Sequence, residues 1–250
     1  MAVDKHINFF ELQKASEKPG CPLCRIVSDR ADRYIDNMLF EHISDRGFRA
    51  LHRAAGGFCP YHSRNLVSFR DGLAVAILSR DILEDRIASF EHRKPWKHKA
   101  YYRGHSKGEY IKRQHHKHKE RCPICVERDR IEEEYLSFLA AAEDIASGKT
   151  RNSPGENSSE VRELRSAIEA SDGLCIPHYA RLLITPEREP RKVPQWIREF
   201  HEKKYRDLLR RINDFIEFSA YGRQEEFAAL SEKDQLVWKE AATVLRGSTE

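Results

Sequence analysis

Nowhere does the 250-residue chain carry an apolar run near the roughly 20 residues that a membrane-crossing helix needs. Its opening residues, MAVDKHINFFELQKASEKPG, lack the basic stretch and apolar core of a signal peptide. No membrane partner is therefore expected, and the cytoplasm is the expected compartment. Catalytic signatures are equally missing: there is no GxSxG, no HExxH, no Walker A loop and no dinucleotide-binding glycine pattern. No segment alternates apolar and polar residues over a strand's length, so sheet-based folds are not expected. Cysteine is scarce, at six, and none of the six stands outside one motif.

That motif occurs twice. Cys21-Pro-Leu-Cys24 is followed by Gly57-Phe-Cys59-Pro-Tyr-His62, and Cys122-Pro-Ile-Cys125 by Gly173-Leu-Cys175-Ile-Pro-His178. Two sets of three sulfurs and one imidazole result, each a complete tetrahedral ligand set for zinc with no position left for substrate or water. In a reducing compartment CxxC pairs read as metal sites before disulfides. A thioredoxin-type dithiol would sit in a βαβ context without a partner CxxH, and neither condition holds here. The expected cofactor is two Zn²⁺ ions, with an iron–sulfur cluster on the same eight ligands as the alternative. Such clusters usually take four thiolates, so the mixed set favours zinc.

Helix starts are written into the same residues. Pro22, Pro123 and Pro60 each follow a cysteine by one position, where a missing backbone N–H costs nothing, and Pro177 comes one residue later. Gly57 and Gly173 give the backbone freedom needed just before the turn. Each site is therefore expected to join two helix N-termini, whose free N–H groups favour thiolates. The closer sequence neighbours suggest pairing within each repeat, Cys21/Cys24 with Cys59/His62 and Cys122/Cys125 with Cys175/His178. A crossed arrangement is the other geometric option.

The repeats align at an offset of 101 residues on the CPxC pairs and 116 on the GxCxxH segments. The first offset also places Tyr34 on Tyr135, and the second Leu66 on Leu182. The difference of 15 residues is close to the length of a polar stretch, Ser147 to Glu160, read as a loop in one copy. Between His92 and Arg121 lie eleven Lys/Arg, two acids and six of the twelve histidines, a local net of +9 against +4 for the whole chain. Trp96, Tyr101, Tyr102 and Tyr110 are interleaved with the bases, a composition that grips phosphates and stacks on bases. This segment reads as a linker and as the candidate contact for nucleic acid or a protein partner. His115, His116 and His118 are a weaker surface metal candidate, disfavoured by Arg113 and the neighbouring lysines.

Elsewhere the periodicity is helical: Cys24 to Ile43, Arg64 to Phe90, Arg128 to Ala146, Glu160 to Ala170, and a long helix from Pro194 to Phe218. The long helix should turn Ile197, Phe200, Leu208, Ile212, Phe215 and Ile216 inward. In the Arg64–Phe90 segment Leu73 and Ile87 belong to the inward stripe. Ser231 with Asp234 resembles a capping box at a short helix near the end. Glu132, Glu133 and Glu134 read as a solvated face, and Glu199 and Glu202 flank His201 without a second such group to form a di-iron site.

The doubled CPxC…GFCxxH…CPxC…GLCxxH pattern, with SDRGFRAL ahead of the first GFC, resembles an uncharacterised family of bacterial and archaeal proteins. The likeness covers most of Cys21–His178 and implies a cytosolic, helical, metal-binding protein without an established activity. The His/Lys-rich linker and the Asn/Ser loop depart from that pattern.

The resulting expectation is an all-α protein of two related helical units, each with a metal site joining helix N-termini, plus a long C-terminal helix. Residues 1–91 form the first unit, 92–121 the basic linker and 122–250 the second unit. The metal ligands are Cys21, Cys24, Cys59, His62, Cys122, Cys125, Cys175 and His178. The expected role is a non-enzymatic zinc-binding scaffold or interaction protein, with an iron–sulfur or redox protein as the alternative.

Overall fold

The computed structural model describes residues 5–69, 71–91, 121–142 and 157–247. Among them every regular element is a helix, and the one strand-like pairing is an isolated bridge between Ile184 and Pro190. The all-α expectation holds. Helix α1 is Lys5–Ser16, α2 Pro22–Asn37, α3 Arg46–Ala54, α4 Pro60–Leu66, α5 Gly72–Glu91 and α6 Pro123–Ala140. Then come α7 Asn157–Ala170, α8 Ile176–Leu182, α9 Gln195–Phe218, α10 Gln224–Ala229, α11 Glu232–Gln235 and α12 Val237–Arg246. A π-helical turn, Met38–His42, follows α2. No helix among the described residues is long and apolar enough to cross a membrane.

Two compact units divide the chain, Met1–Ser28 with Glu132–Glu250, and Asp29–Ile131. The linear division into 1–91 and 122–250 does not coincide with them, because the chain passes from one unit to the other within α2 and again within α6. The discontinuous unit packs α1 on α7 and α9 on α12. Leu12, Leu23, Tyr135, Leu136, Leu164 and Leu182 are among its most deeply buried large side chains. Arg211 of α9 is 7% exposed, and its Nε and Nη1 donate to Asp234 (2.5 Å) and Glu240 (2.8 Å), tying α11 and α12 to the long helix. The stripe read from sequence places Ile216 inward, yet it is 63% exposed, while the charged Arg211 takes a buried position. Neutralisation by two carboxylates makes that burial tolerable.

In the continuous unit, Ile35, Met38, Leu39, Phe48, Phe58, Leu66, Leu78 and Ile124 share one core. Arg49 and Arg53 of α3 pair with Asp81 and Asp85 of α5 and pin the two helices together. Arg64 to Phe90 is not one helix. The Asp71 carboxylate accepts from the Ala74 N–H at 2.9 Å and starts α5 afresh, a capping signal that apolar periodicity hides. Leu73 and Ile87, expected inside, are 74% and 55% exposed. At the polar stretch Ser147–Glu160, α7 already begins at Asn157; residues 143–156 lie outside the described residues. Ser231 does cap α11, accepting from the Asp234 N–H at 3.1 Å.

Candidate metal centres

All eight sequence-derived ligands come together in two groups of four, Cys21/Cys24/Cys175/His178 and Cys59/His62/Cys122/Cys125. The pairing is crossed: each CPxC meets the CxxH of the other repeat, not its own. Cys21 stands immediately before the start of α2. Near that start, the Gly20 N–H donates to the Asp172 carboxylate at 2.7 Å and ties the Cys21 loop to the Cys175 loop. Each cluster lies within a single compact unit.

Every ligand-bearing segment begins a helix, as the prolines require. Cys59 and Cys175 are the N-cap residues of α4 and α8, and Pro22 and Pro123 open α2 and α6. The carbonyls of Cys21, Cys59, Cys122 and Cys175 each accept from the N–H four residues on. Gly57 and Gly173 hold φ of 101° and 74°, the left-handed region where a side chain is strained. Both clusters lie at helix starts, as the sequence suggests, and the pairing within each repeat is replaced by the crossed one.

In the first cluster, Nδ1 of His178 lies 3.4 Å from Cys21 Sγ, 3.4 Å from Cys24 Sγ and 3.2 Å from Cys175 Sγ. In the second, Nδ1 of His62 lies 3.2 Å from Cys59, 3.5 Å from Cys122 and 3.4 Å from Cys125. Both contain one sulfur pair at 3.7 Å, Cys24–Cys175 and Cys59–Cys125. Disulfides are absent, all six cysteines being free. Ideal tetrahedral zinc with Zn–S near 2.3 Å and Zn–N near 2.0 Å spaces two sulfurs by about 3.8 Å and sulfur from nitrogen by about 3.5 Å. The donor atoms of both clusters therefore fit around one tetrahedral ion each.

Electrostatics within the clusters are strong. Cys24 is held far below the usual thiol range by hydrogen bonds from Cys175 and Cys21, and Cys59 likewise by Cys122 and Cys125. Burial and the neighbouring thiols push Cys21 up, and Cys122 and Cys59 push Cys125 up. Against the effect of burial, Cys175, Cys24 and Glu132 raise His178 to about 10. Cys122 and Cys59 raise His62 to about 9 in the same way.

Three supporting residues escaped the sequence reading. Glu132, read as a solvated carboxylate, is 8% exposed, and its Oε1 faces Nε2 of His178 at 3.4 Å while its other oxygen pairs with Arg181. His201 is no ligand. It is buried in the discontinuous unit, donates from Nδ1 to the Ile197 carbonyl (2.7 Å) and accepts at Nε2 from the Leu174 N–H (2.9 Å). Tyr205 completes the hold on this loop by donating to the Leu174 carbonyl at 2.9 Å. Glu199 and Glu202, beside His201 in sequence, are exposed. The basic segment and its histidines, residues 92–120, lie outside the described residues; Arg121 pairs with Asp129.

A model of a family of unknown function, DUF6062, matches residues 5–147, a span that includes six of the eight ligands and stops before Cys175 and His178. An uncharacterized 23.9 kDa protein in the xynA 3′ region of Caldicellulosiruptor sp. (strain Rt8B.4) is 39% identical over 72 residues, 29% of this chain. The matched part spans only 33% of that relative's length. No solved structure matches the chain.

Proposed function

The chain belongs to DUF6062, a family of unknown function, and from its sites we propose that it is a helical scaffold stapled by two structural zinc ions, one in each Cys₃His cluster. The spacing of the donor atoms carries this reading: all four ligand atoms of each cluster lie within 4.8 Å of one another, as ligands of a single ion do. A multinuclear iron–sulfur cluster distributes its ligands over separate irons and draws no support from so tight a group. Four protein ligands complete the coordination of zinc, so the ion supplies folding free energy and no open position for a reacting molecule. The ligands in this reading are Cys21, Cys24, Cys175 and His178 for one ion and Cys59, His62, Cys122 and Cys125 for the other.

Anaerobic purification followed by elemental analysis tests it. Two zinc per colourless chain is the expected result, falling to one in Cys24→Ser and in Cys125→Ser. A brown protein containing iron and sulfide would replace zinc with the iron–sulfur alternative.

A scaffold acts through the surfaces it presents. The +9 segment from His92 to Arg121, with its four interleaved aromatic residues, is the proposed contact for nucleic acid. A salt-sensitive gel shift with RNA or DNA that is lost when residues 93–119 are deleted is the expected observation.

A further inference from the structure

The two clusters have the same ligands but different surroundings. In the first, Glu132 faces the outer nitrogen of His178 and is itself held by Arg181. In the second, the outer nitrogen of His62 is buried with no hydrogen-bond partner. The difference is already present in the residues. At the 101-residue offset that superimposes the two CPxC pairs, the position of Glu132 is occupied by Ala31, which has nothing to offer an imidazole. Carboxylates behind a metal-bound histidine fix its orientation and raise its basicity, and their loss costs about 10–100-fold in metal affinity.

Packing around the ligand loops follows the same division. Beside Gly173 and Leu174 of the first cluster, the free space is only about 10 Å³, closed by His201, Ile197 and Leu12. Beside Gly57 and Phe58 of the second, a cavity of about 340 Å³ runs between His52, Leu78 and Ile82. The first loop is filled and the second has room to move. The sulfur pairs differ in cover as well. A Cβ on Gly247 would lie 3.0 Å from Cys24 Sγ and 3.3 Å from Cys175 Sγ, so the backbone after α12 lies directly over that pair. Cys24 and Cys125 are both half-buried, but Cys175 is 2% exposed whereas its counterpart Cys59 is half-buried.

We propose that the two metal sites are unequal in function: Cys21/Cys24/Cys175/His178 holds a permanent ion, and Cys59/His62/Cys122/Cys125 is an exchange site. The second site yields its ion to a competing ligand and then presents three thiolates to thiophilic metals or electrophiles. This rests on the reading that both clusters hold zinc.

The test uses the full chain loaded with zinc, its stoichiometry measured first, then challenged with the chelator 4-(2-pyridylazo)resorcinol in the presence of N-ethylmaleimide. Release is expected in two phases of one equivalent each, at least tenfold apart in rate. Mass spectrometry during the fast phase should find label on Cys59, Cys122 and Cys125, with Cys21, Cys24 and Cys175 protected. Glu132→Ala should accelerate the slow phase at least tenfold and leave the fast phase alone, with Glu132→Gln intermediate. Two equivalents leaving together, or early label on Cys21, Cys24 and Cys175, would overturn the inequality and leave the two-zinc scaffold standing. A slow phase indifferent to Glu132→Ala would remove Glu132 as its cause and overturn the inference in that form. A chain that takes up no zinc overturns the scaffold reading and this inference with it.

Discussion

The backbone N–H of Leu174 donates to Nε2 of His201 at 2.9 Å, so an imidazole on α9 positions the loop that delivers Cys175. That acceptor role requires the neutral tautomer with its proton on Nδ1, which the Ile197 carbonyl accepts. His201→Ala would leave a buried N–H unsatisfied and open a void. We expect a loss of about 2–4 kcal/mol, read as a lowered denaturation midpoint of the zinc-loaded protein.

Acid should weaken the fold through the same group. Burial lowers His201 to about 4, and burial opposed by the Asp81 carboxylate lowers His52 to about 4. As pH falls below the ordinary histidine value near 6.5, the unfolded chain takes up these two protons before the folded one does. Their stabilising contribution is complete above about 6.5 and is lost progressively down to about 4. Each is worth at most about 3 kcal/mol. Denaturant midpoints measured at pH 7, 6, 5 and 4 should fall, and His52→Gln should flatten the slope by up to about 1.4 kcal/mol per pH unit. An unchanged slope in that variant would refute its share.

Alanine at the two loop glycines should have unequal effects. At Gly173 the new Cβ would lie 3.0 Å from Phe200 Cε1 and 3.3 Å from His201 Nε2, on top of a φ of 74°. At Gly57 the nearest atom, Ile82 Cγ1, is 3.5 Å away and only the backbone strain remains. Gly57→Ala should cost about 1 kcal/mol and Gly173→Ala about 2–4 kcal/mol. Thermal melts of the two variants side by side give the comparison.

Zinc uptake should acidify the solution. His178 and His62 are raised to about 10 and about 9, so both imidazoles carry a proton at pH 8 that the metal must displace. Titrating zinc into reduced protein in a weakly buffered indicator solution should release at least one proton per ion. Apparent affinity should rise with pH, because the raised imidazoles and the raised thiols of Cys21 and Cys125 all give up protons to the metal. Release below one proton per ion would contradict the raised imidazoles.

Arg211 offers a test away from the metal. With its two carboxylates at 2.5 and 2.8 Å and little exposure, Arg211→Ala leaves Asp234 and Glu240 facing each other without their cation. A loss of about 3–5 kcal/mol is expected, visible as increased hydrogen exchange in α11 and α12.

The ligands and the helix starts were legible because both are local: a CxxC or CxxH spacing and a proline one residue on say what a segment does by itself. Which helix starts meet is not local. It depends on contacts between distant segments, such as the Gly20–Asp172 hydrogen bond, which proximity along the chain does not convey. Glu132 was hidden by its neighbours, because three glutamates in a row look solvated; the informative sign was the alanine opposite it in the repeat. Periodicity likewise assigned Ile216 to the interior and missed Arg211, since a stripe marks the apolar side of a helix and not how far its neighbours cover it.

The crossed pairing also sets an order of completion during synthesis. Chains emerge from the ribosome N-terminus first, and domains fold as their residues become available. The set Cys59/His62/Cys122/Cys125 is whole once residue 125 is out, and its unit once Ile131 follows. Cys21 and Cys24, the earliest thiols to appear, have no partners until Cys175 and His178 arrive. The growing chain therefore carries two unclaimed thiols through most of its translation, and the site that begins first is the last to close.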